Sequence, residues 1–358
     1  MKETRLNKVL KNMEKQDLTQ VLISDPASIY YLTGKWIHPE ERMLVLYLNT
    51  SGKNKLFVNK LFPIEEDLGL EKVWYSDTDD PVKILYDGIS KSDALGIDKN
   101  WESKFLIRLI ELGFRGPLMN SSILIDSVRM IKDEEEINCM REASKINDAA
   151  IDRLKDLIPK KYSEVKLGKL LGDIYEELGA DGYSFDPIIA YGKNASDPHH
   201  LSNNDILKDG NSVILDIGCV KNSYCSDMTR TIFYKYVTTE QRNVYEIVLE
   251  ANKRAIEAVK PGVKFCDVDR AARGYIESKG YGEFFTHRTG HSIGIEIHDF
   301  GDVSEANENI LEEGMIFSIE PGIYKTGKFG VRIEDLVVVT KDGCEILNKF
   351  SKDLIIIE

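Results

Sequence analysis

The chain has no Cys-x-x-Cys pair, no apolar run approaching ~18 residues and no excess of positive charge. Each absence closes off a class of protein. The five cysteines (Cys139, Cys219, Cys225, Cys266, Cys344) are scattered and odd in number. They suit reduced thiols rather than a disulfide framework or a structural zinc site. Without a long apolar run, no membrane-spanning helix is expected. Lys and Arg total 47 against 60 Asp and Glu, for a net charge of −13. Nucleic acid and anionic membranes both demand a basic surface, so neither is an expected partner. There is no solenoid period and no low-complexity stretch. The opening, Met1-Lys2-Glu3-Thr4-Arg5-Leu6, lacks an apolar signal core, so the expected compartment is the cytoplasm.

What is present suits an ordinary globular chain. Its 358 residues are 42% hydrophobic and 30% charged. That length corresponds to about two domains and buries a normal core without disulfides. Residues 1–20 read as an amphipathic helix, and Val21-Leu22-Ile23-Ser24 as a strand closed by an Asp25-Pro26 turn. Met43–Leu48 and Lys55–Val58 read as strands around a Ser51–Asn54 hairpin turn. A helix over Pro81–Ile89, a strand over Ala94–Ile97 and a helix over Trp101–Leu112 complete a small α/β pattern.

The segment Asn120–Ser127 is the expected boundary. After it, Lys132-Asp133-Glu134-Glu135-Glu136 opens a helix with acid in its first turn. Ile137, Met140, Ala150, Ile151 and Leu154 give that helix an apolar stripe that ends before Pro159. Further helices are expected over Ser163–Leu178, Thr239–Val259 and Cys266–Lys279. Strands are expected over Pro187–Ala190, Ser212–Gly218, Ile293–Ile297, Met315–Ile319, Gly330–Thr340 and Leu354–Ile357.

Candidate chemistry gathers in that second part. Asp216 ends an apolar strand and Asp227 lies 11 positions on, a spacing that suits strand, turn and return strand. Taken alone, each Asp serves as readily to cap a strand or turn. His291 lies in Thr289-Gly290-His291-Ser292-Ile293-Gly294, whose small residues let something bulky approach the backbone. His298 follows seven residues later, on the opposite face if the segment is a strand. Glu320 closes the apolar run Met315–Ile319, where a carboxylate is costly unless it is paired or metal-bound. Arg332 and Glu334 interrupt a run of Val331, Ile333, Leu336 and Val337, which asks for either a mutual salt bridge or a metal. Asp197-Pro198-His199-His200 sits in a loop rich in Asn and Ser. One imidazole and four carboxylates (Asp216, Asp227, Glu320, Glu334) can hold two divalent metals. Such an oxygen-rich set suits Mn2+, with Co2+ or Zn2+ as alternatives.

Together these motifs resemble the creatinase/methionine-aminopeptidase superfamily, the pita-bread metallopeptidases. Within it they are most similar to the proline-specific branch of Xaa-Pro dipeptidase (prolidase) and aminopeptidase P. The likeness covers nearly the whole chain, from Val21-Leu22-Ile23 and Tyr31-Leu32-Thr33-Gly34 to the five-ligand signature. It implies an α/β (α+β) fold. Residues 1–124 would form a small creatinase-like N-terminal α/β domain. Residues 125–358 would form a pita-bread catalytic domain, a curved antiparallel sheet flanked by helices.

The resemblance further implies that Asp216 ligates one metal, that Asp227 and Glu334 bridge two, and that His291 and Glu320 complete the coordination of the second ion. It places His199 and His298 beside the substrate's reacting centre, and His287 and Arg332 as substrate-side residues. It implies a homodimer that cleaves the Xaa-Pro bond of small proline-containing peptides, with Glu320 as proton shuttle. Trp36, His38 and Arg42 follow Gly34 on a loop that such a dimer can bring to a cleft, though surface packing serves them equally. Two features depart from the family pattern. Ser292 replaces the commoner glycine after the metal histidine. The run Asp299-Phe300-Gly301-Asp302-Val303-Ser304 lacks the basic residue that clamps a dipeptide's carboxylate, leaving Arg288 or Arg332 for that task. A dipeptide and a longer peptide therefore both remain open as substrates. So do an aminopeptidase of different N-terminal specificity and a non-catalytic peptide-binding relative.

Overall fold

The computed structural model describes all 358 residues, in two compact units, Met1–Arg129 and Met130–Glu358. In the first unit six strands form a mixed sheet. Their order is Glu71–Tyr75, Lys55–Asn59, Val45–Asn49, Gln20–Ile23, Leu95–Ile97 and Leu118–Asn120. The expected hairpin forms, with Val45 opposite Phe57. The two strands not foreseen, Glu71–Tyr75 and Leu118–Asn120, are the sheet's edges. Leu118–Asn120 is exposed throughout, so it carries no burial pattern to read. Asp25-Pro26 is a helix start rather than a turn. The Asp25 carboxylate accepts from the Ser28 amide at 2.9 Å, and Pro26 begins the Pro26–Thr33 helix, where its missing N–H goes unneeded.

The expected linker Asn120–Ser127 is mostly the start of a helix, Ile123–Met130. That helix is fastened to the first unit. Arg129 Nη1 reaches Asp25 Oδ2 at 3.0 Å, both side chains buried, and the Tyr31 hydroxyl donates to the Val128 carbonyl. The division therefore falls after Arg129 instead of after residue 124.

The second unit opens on the Glu134–Leu157 helix. Its start is a reciprocal cap: Glu136 N donates to Asp133 Oδ1 at 3.0 Å, and Asp133 N donates to Glu136 Oε2 at 2.9 Å. This helix and Glu164–Leu178 bury Leu154 and Leu171 against Leu215 and Ile232 of the strands Ser212–Ile217 and Met228–Tyr234. A second core lies beneath the Thr239–Ala258 and Phe265–Ser278 helices. There Val248 and Ala272 meet Phe317, Val331 and Val337 of the strands Ile316–Ile319, Phe329–Arg332 and Asp335–Val339. The strand pairings of this unit are antiparallel, except that Ile356–Ile357 runs parallel to Met228–Tyr234. No helix is long and apolar enough to cross a membrane.

Three strand expectations change. Ile293–Ile297 is not a strand; the strand ends at Gly290–His291, and one bridge from Ser292 to Phe317 follows it. The Asp299 amide donates back to the Ser292 carbonyl at 2.9 Å, so the segment closes on itself as a loop. Its apolar look comes from the burial of Ile293 and Ile295. Gly330–Thr340 is two strands, broken at Ile333-Glu334. Leu354–Ile357 shrinks to Ile356–Ile357.

Candidate metal centre

Strand register places the carboxylates. Asp216 lies opposite Thr229 in the antiparallel pair Ser212–Ile217 and Met228–Tyr234, and Asp227 stands immediately before the return strand. Ile319 pairs with Asp335, which sets Glu320 and Glu334 just beyond that rung. His291 enters from the Gly290–His291 strand. A Cβ on Gly290 would lie 1.8 Å from the Ser318 carbonyl oxygen, so only glycine lets these two backbones touch. What the small residue admits is a neighbouring strand rather than a ligand.

Asp227, His291 and Glu334 bring ligand atoms within 4.8 Å of one another. His291 Nε2 is 3.5 Å from Asp227 Oδ2 and 3.7 Å from Glu320 Oε1. Its Nδ1 lies 3.2 Å from the Ser292 carbonyl. A carbonyl only accepts, so Nδ1 carries the proton and the Nε2 lone pair faces the carboxylates. Asp216 Oδ1, Asp227 Oδ1 and Glu334 Oε1 are buried with no hydrogen-bond partner. Burial drives the Asp227 and Glu334 carboxyls well above their ordinary range; repulsion from Asp216 adds to it for Asp227, and repulsion from Asp227 adds to it for Glu334. Burial likewise lifts Glu320 to about 7 and lowers His291. Unsatisfied buried acceptors are costly. Those of Asp227 and Glu334 beside the His291 lone pair, with that of Asp216 on the same cavity, form a donor set that a divalent cation would satisfy.

Arg332 orders the rest. Its Nη2 donates to Asp216 Oδ2 at 2.6 Å, Nε to Thr229 Oγ1 at 3.1 Å, and Nη1 to Tyr324 Oη at 2.8 Å and to the Pro198 carbonyl at 3.3 Å. The Thr229 hydroxyl then donates to Glu334 Oε2 at 2.8 Å. The salt bridge considered for Arg332 and Glu334 is thus replaced by a relay through Thr229 and an ion pair with Asp216. Neither Thr229 nor Tyr324 carried any sequence signal.

These residues line a cavity of about 480 Å³, within the range of small-ligand sites. Its apolar wall is Phe185, Ile188, Pro198 and Ile297. His199, His287 and His298 line it with the five candidate acid and imidazole ligands, as do Arg288 and Arg332. His298 does not point away from His291, because the loop folds it back. The two ring centroids are 4.4 Å apart at 78°. Desolvation, then the nearby His291 and Arg288, lowers His298 to about 4. His287 turns Nε2 to the Tyr324 hydroxyl at 2.8 Å and Nδ1 to the Arg288 carbonyl at 2.7 Å. Burial, then Arg332, lowers it to about 3, so it is neutral at pH 7.

The loop bearing His199 hangs on Glu164, which sequence reading passed over. Its buried carboxylate accepts from the Tyr191 and Asn203 amides, from Asn194 Nδ2 and from His200 Nε2, at 2.7–2.9 Å. His200 is therefore a structural partner of Glu164.

Residues 138–341, which include this whole ligand set, match the model of metallopeptidase family M24. The chain belongs to metallopeptidase family M24. Residues 5–131 match the creatinase/prolidase N-terminal domain. An uncharacterized peptidase of Staphylococcus aureus strain MRSA252 is 36% identical over 357 residues, covering 98% of this chain and all of that protein. The crystal structure of a prolidase from Thermococcus sibiricus superposes with a TM-score of 0.94 at 35% identity, covering 100% of this chain and 99% of that one. An X-Pro aminopeptidase from Thermotoga maritima gives 0.83 at 28% identity, covering 97% of this chain and 100% of that one. The M24 chain is a peptidase of the pita-bread fold with a creatinase-type N-terminal domain, in the prolidase and aminopeptidase P branch. Family membership implies divalent metal ions, and the three unpaired carboxylate oxygens fit them.

Proposed function

We propose that this M24 peptidase hydrolyses the Xaa-Pro bond at the N-terminus of dipeptides or short peptides. Asp216, Asp227, His291, Glu320 and Glu334 would hold two divalent ions, with Mn2+ first and Co2+ or Zn2+ as alternatives. The observation that carries this reading is the trio of unpaired buried oxygens on Asp216, Asp227 and Glu334, beside the free Nε2 of His291. When bound, such ions supply Lewis acidity and nucleophilic water at neutral pH.

The chain's own residues do the rest. Glu320 takes a proton from the attacking water and returns it to the leaving nitrogen. That return is essential, because the proline amide has no N–H of its own. His199 and His298 donate to the carbonyl oxygen as it gains charge. Arg332 holds Asp216 in place and, through Thr229, orients Glu334. Phe185, Ile188, Pro198 and Ile297 offer the pyrrolidine ring a flat apolar wall. The prolidase likeness supports proline specificity, and His287 and Arg332, which line the cavity, would serve on the substrate side. The same reading takes the protein as cytoplasmic, given its five free thiols, and as a homodimer, from the family resemblance alone.

The test is hydrolysis of Ala-Pro beside Ala-Pro-Ala by the Mn2+-loaded protein. Cleavage of the dipeptide alone supports a dipeptidase, and cleavage of the longer peptide an aminopeptidase. Cleavage of neither favours a non-catalytic binding relative.

A further inference from the structure

We propose that Glu164 and His200 are positioning residues that hold the loop between Gly192 and Asn203 so that His199 faces the reacting carbonyl. The inference rests on the donor role given above to His199 and deepens it by naming what aims that ring.

His199 needs support from outside its own side chain. It lines the cavity, yet its ring makes no hydrogen bond within the chain; only its amide is tied, to Asp197 Oδ1 at 3.0 Å. The loop that carries it has a single regular turn, Asn194–Ser196. A ring on such a loop points wherever its backbone is held. Apolar packing does not hold this stretch, because Leu201 is 83% exposed.

Polar contacts hold it from two sides. On the side of the candidate metal ligands, Arg332 Nη1 donates to the Pro198 carbonyl at 3.3 Å. There too a Cβ on Gly330 would meet the Ala195 carbonyl oxygen at 1.9 Å, so the turn lies flat on the Phe329–Arg332 strand. On the other side stands Glu164, with each carboxylate oxygen taking two donors. Oε1 accepts from the Tyr191 amide at 2.8 Å and Asn194 Nδ2 at 2.9 Å. Oε2 accepts from the Asn203 amide at 2.9 Å and His200 Nε2 at 2.7 Å. Tyr191, Asn194 and Asn203 lie toward the ends of the loop. His200 is the donor next to His199.

The anchor itself is fixed. Glu164 opens the Glu164–Leu178 helix, and its side chain is 0% exposed. Burying a carboxylate is costly, and no lysine or arginine pairs with this one; its compensation comes from the loop alone. Four directional bonds on one carboxylate fix a loop more exactly than an apolar plug of the same size would. Such exactness matters for a ring that must meet a developing oxyanion, where a displacement of about 1 Å costs on the order of 10²-fold in rate.

Mn2+-loaded wild-type, His200→Ala, His200→Gln, His199→Ala and doubly substituted His199→Ala/His200→Ala proteins would be assayed on Ala-Pro and Ala-Pro-Ala. Amide hydrogen exchange would be followed over residues 192–204. His200→Ala is expected to lower kcat about tenfold or more with KM nearly unchanged, since the lost contact acts in the transition state. His200→Gln, whose amide keeps an N–H donor at similar reach, should recover most of the rate. In the His199→Ala background, His200→Ala should have no further effect, because the ring it aims is gone. Exchange should quicken over residues 192–204 in His200→Ala and stay unchanged elsewhere, with bound Mn2+ equal to wild type. Additive losses, a wild-type kcat in His200→Ala, unchanged loop exchange or a loss of Mn2+ would each overturn the inference alone. Full activity in His199→Ala would overturn the donor role of His199 and the inference with it, leaving Xaa-Pro cleavage standing. Wild-type failure on both substrates overturns the Xaa-Pro reading as well.

Discussion

Glu334 and Asp335 are neighbours in sequence, equally buried, and opposite in chemistry. Asp335 receives Arg230 Nη2 and Lys352 Nζ, each at 2.7 Å. Burial works against its charge, but Arg230 and Lys352 outweigh it and hold the carboxyl below its ordinary range. Glu334 receives one hydroxyl, from Thr229, and leaves Oε1 bare. Burial and Asp227 push it far up. A carboxylate that builds the fold is compensated within the chain. A carboxylate left uncompensated is waiting for a charge from outside.

That contrast can be broken by experiment. The largest effect is expected on the uncompensated side. Glu320→Gln removes the proton carrier and should cut turnover by about 10²–10⁴-fold with metal still bound. Near-wild-type turnover by a metal-loaded variant would end its assignment as shuttle. Next comes the compensated side. Asp335→Asn strands Arg230 and Lys352 and should cost about 3–5 kcal/mol in chemical denaturation. Glu334→Gln should instead stabilise the metal-free protein while losing metal. Destabilisation of the metal-free protein by both would erase the distinction.

A third effect is in pH. The carboxyls of Glu320, Asp227 and Glu334 are raised in the fold, so the folded metal-free protein holds protons that the unfolded chain has lost. Their stabilising contribution is complete below the ordinary carboxylate range, and the part due to Glu320 disappears as pH rises through about 7. Melting temperatures in chelator should fall over that window, and added Mn2+ should restore them most at the upper end. A flat profile would contradict the raised carboxyls. The smallest effect tests an unpaired group with no proposed partner. Ser292 Oγ is buried without a hydrogen bond, so Ser292→Ala should raise stability by up to about 1 kcal/mol. A loss on denaturation would mean that the hydroxyl is satisfied in solution.

The sequence marked the candidate ligands better than their surroundings. Glu320 and Glu334 stood out because charge inside an apolar run demands a reason. The long amphipathic helices stood out because their stripes repeat. The Arg332–Thr229–Glu334 relay did not, since Thr229 lies 105 residues before Glu334 and its hydroxyl looks like any strand threonine. Glu164 looked like a first-turn helix acid, and only the folded loop shows four donors converging on it. The Ile293–Ile297 error has one cause: apolar burial was read as strand, whereas Asp299 bonding to Ser292 makes a loop. Alternation then predicted that His298 would face away from His291, and the loop sets the two rings in contact instead.

The central claim is that the uncompensated cluster is a two-ion site. Calorimetric titration of chelator-stripped protein with Mn2+ tests it directly, in wild type and in Glu334→Gln. The account predicts two ions per wild-type chain and a loss of binding in the variant. No saturable binding to the wild type, or identical binding by both proteins, would contradict it.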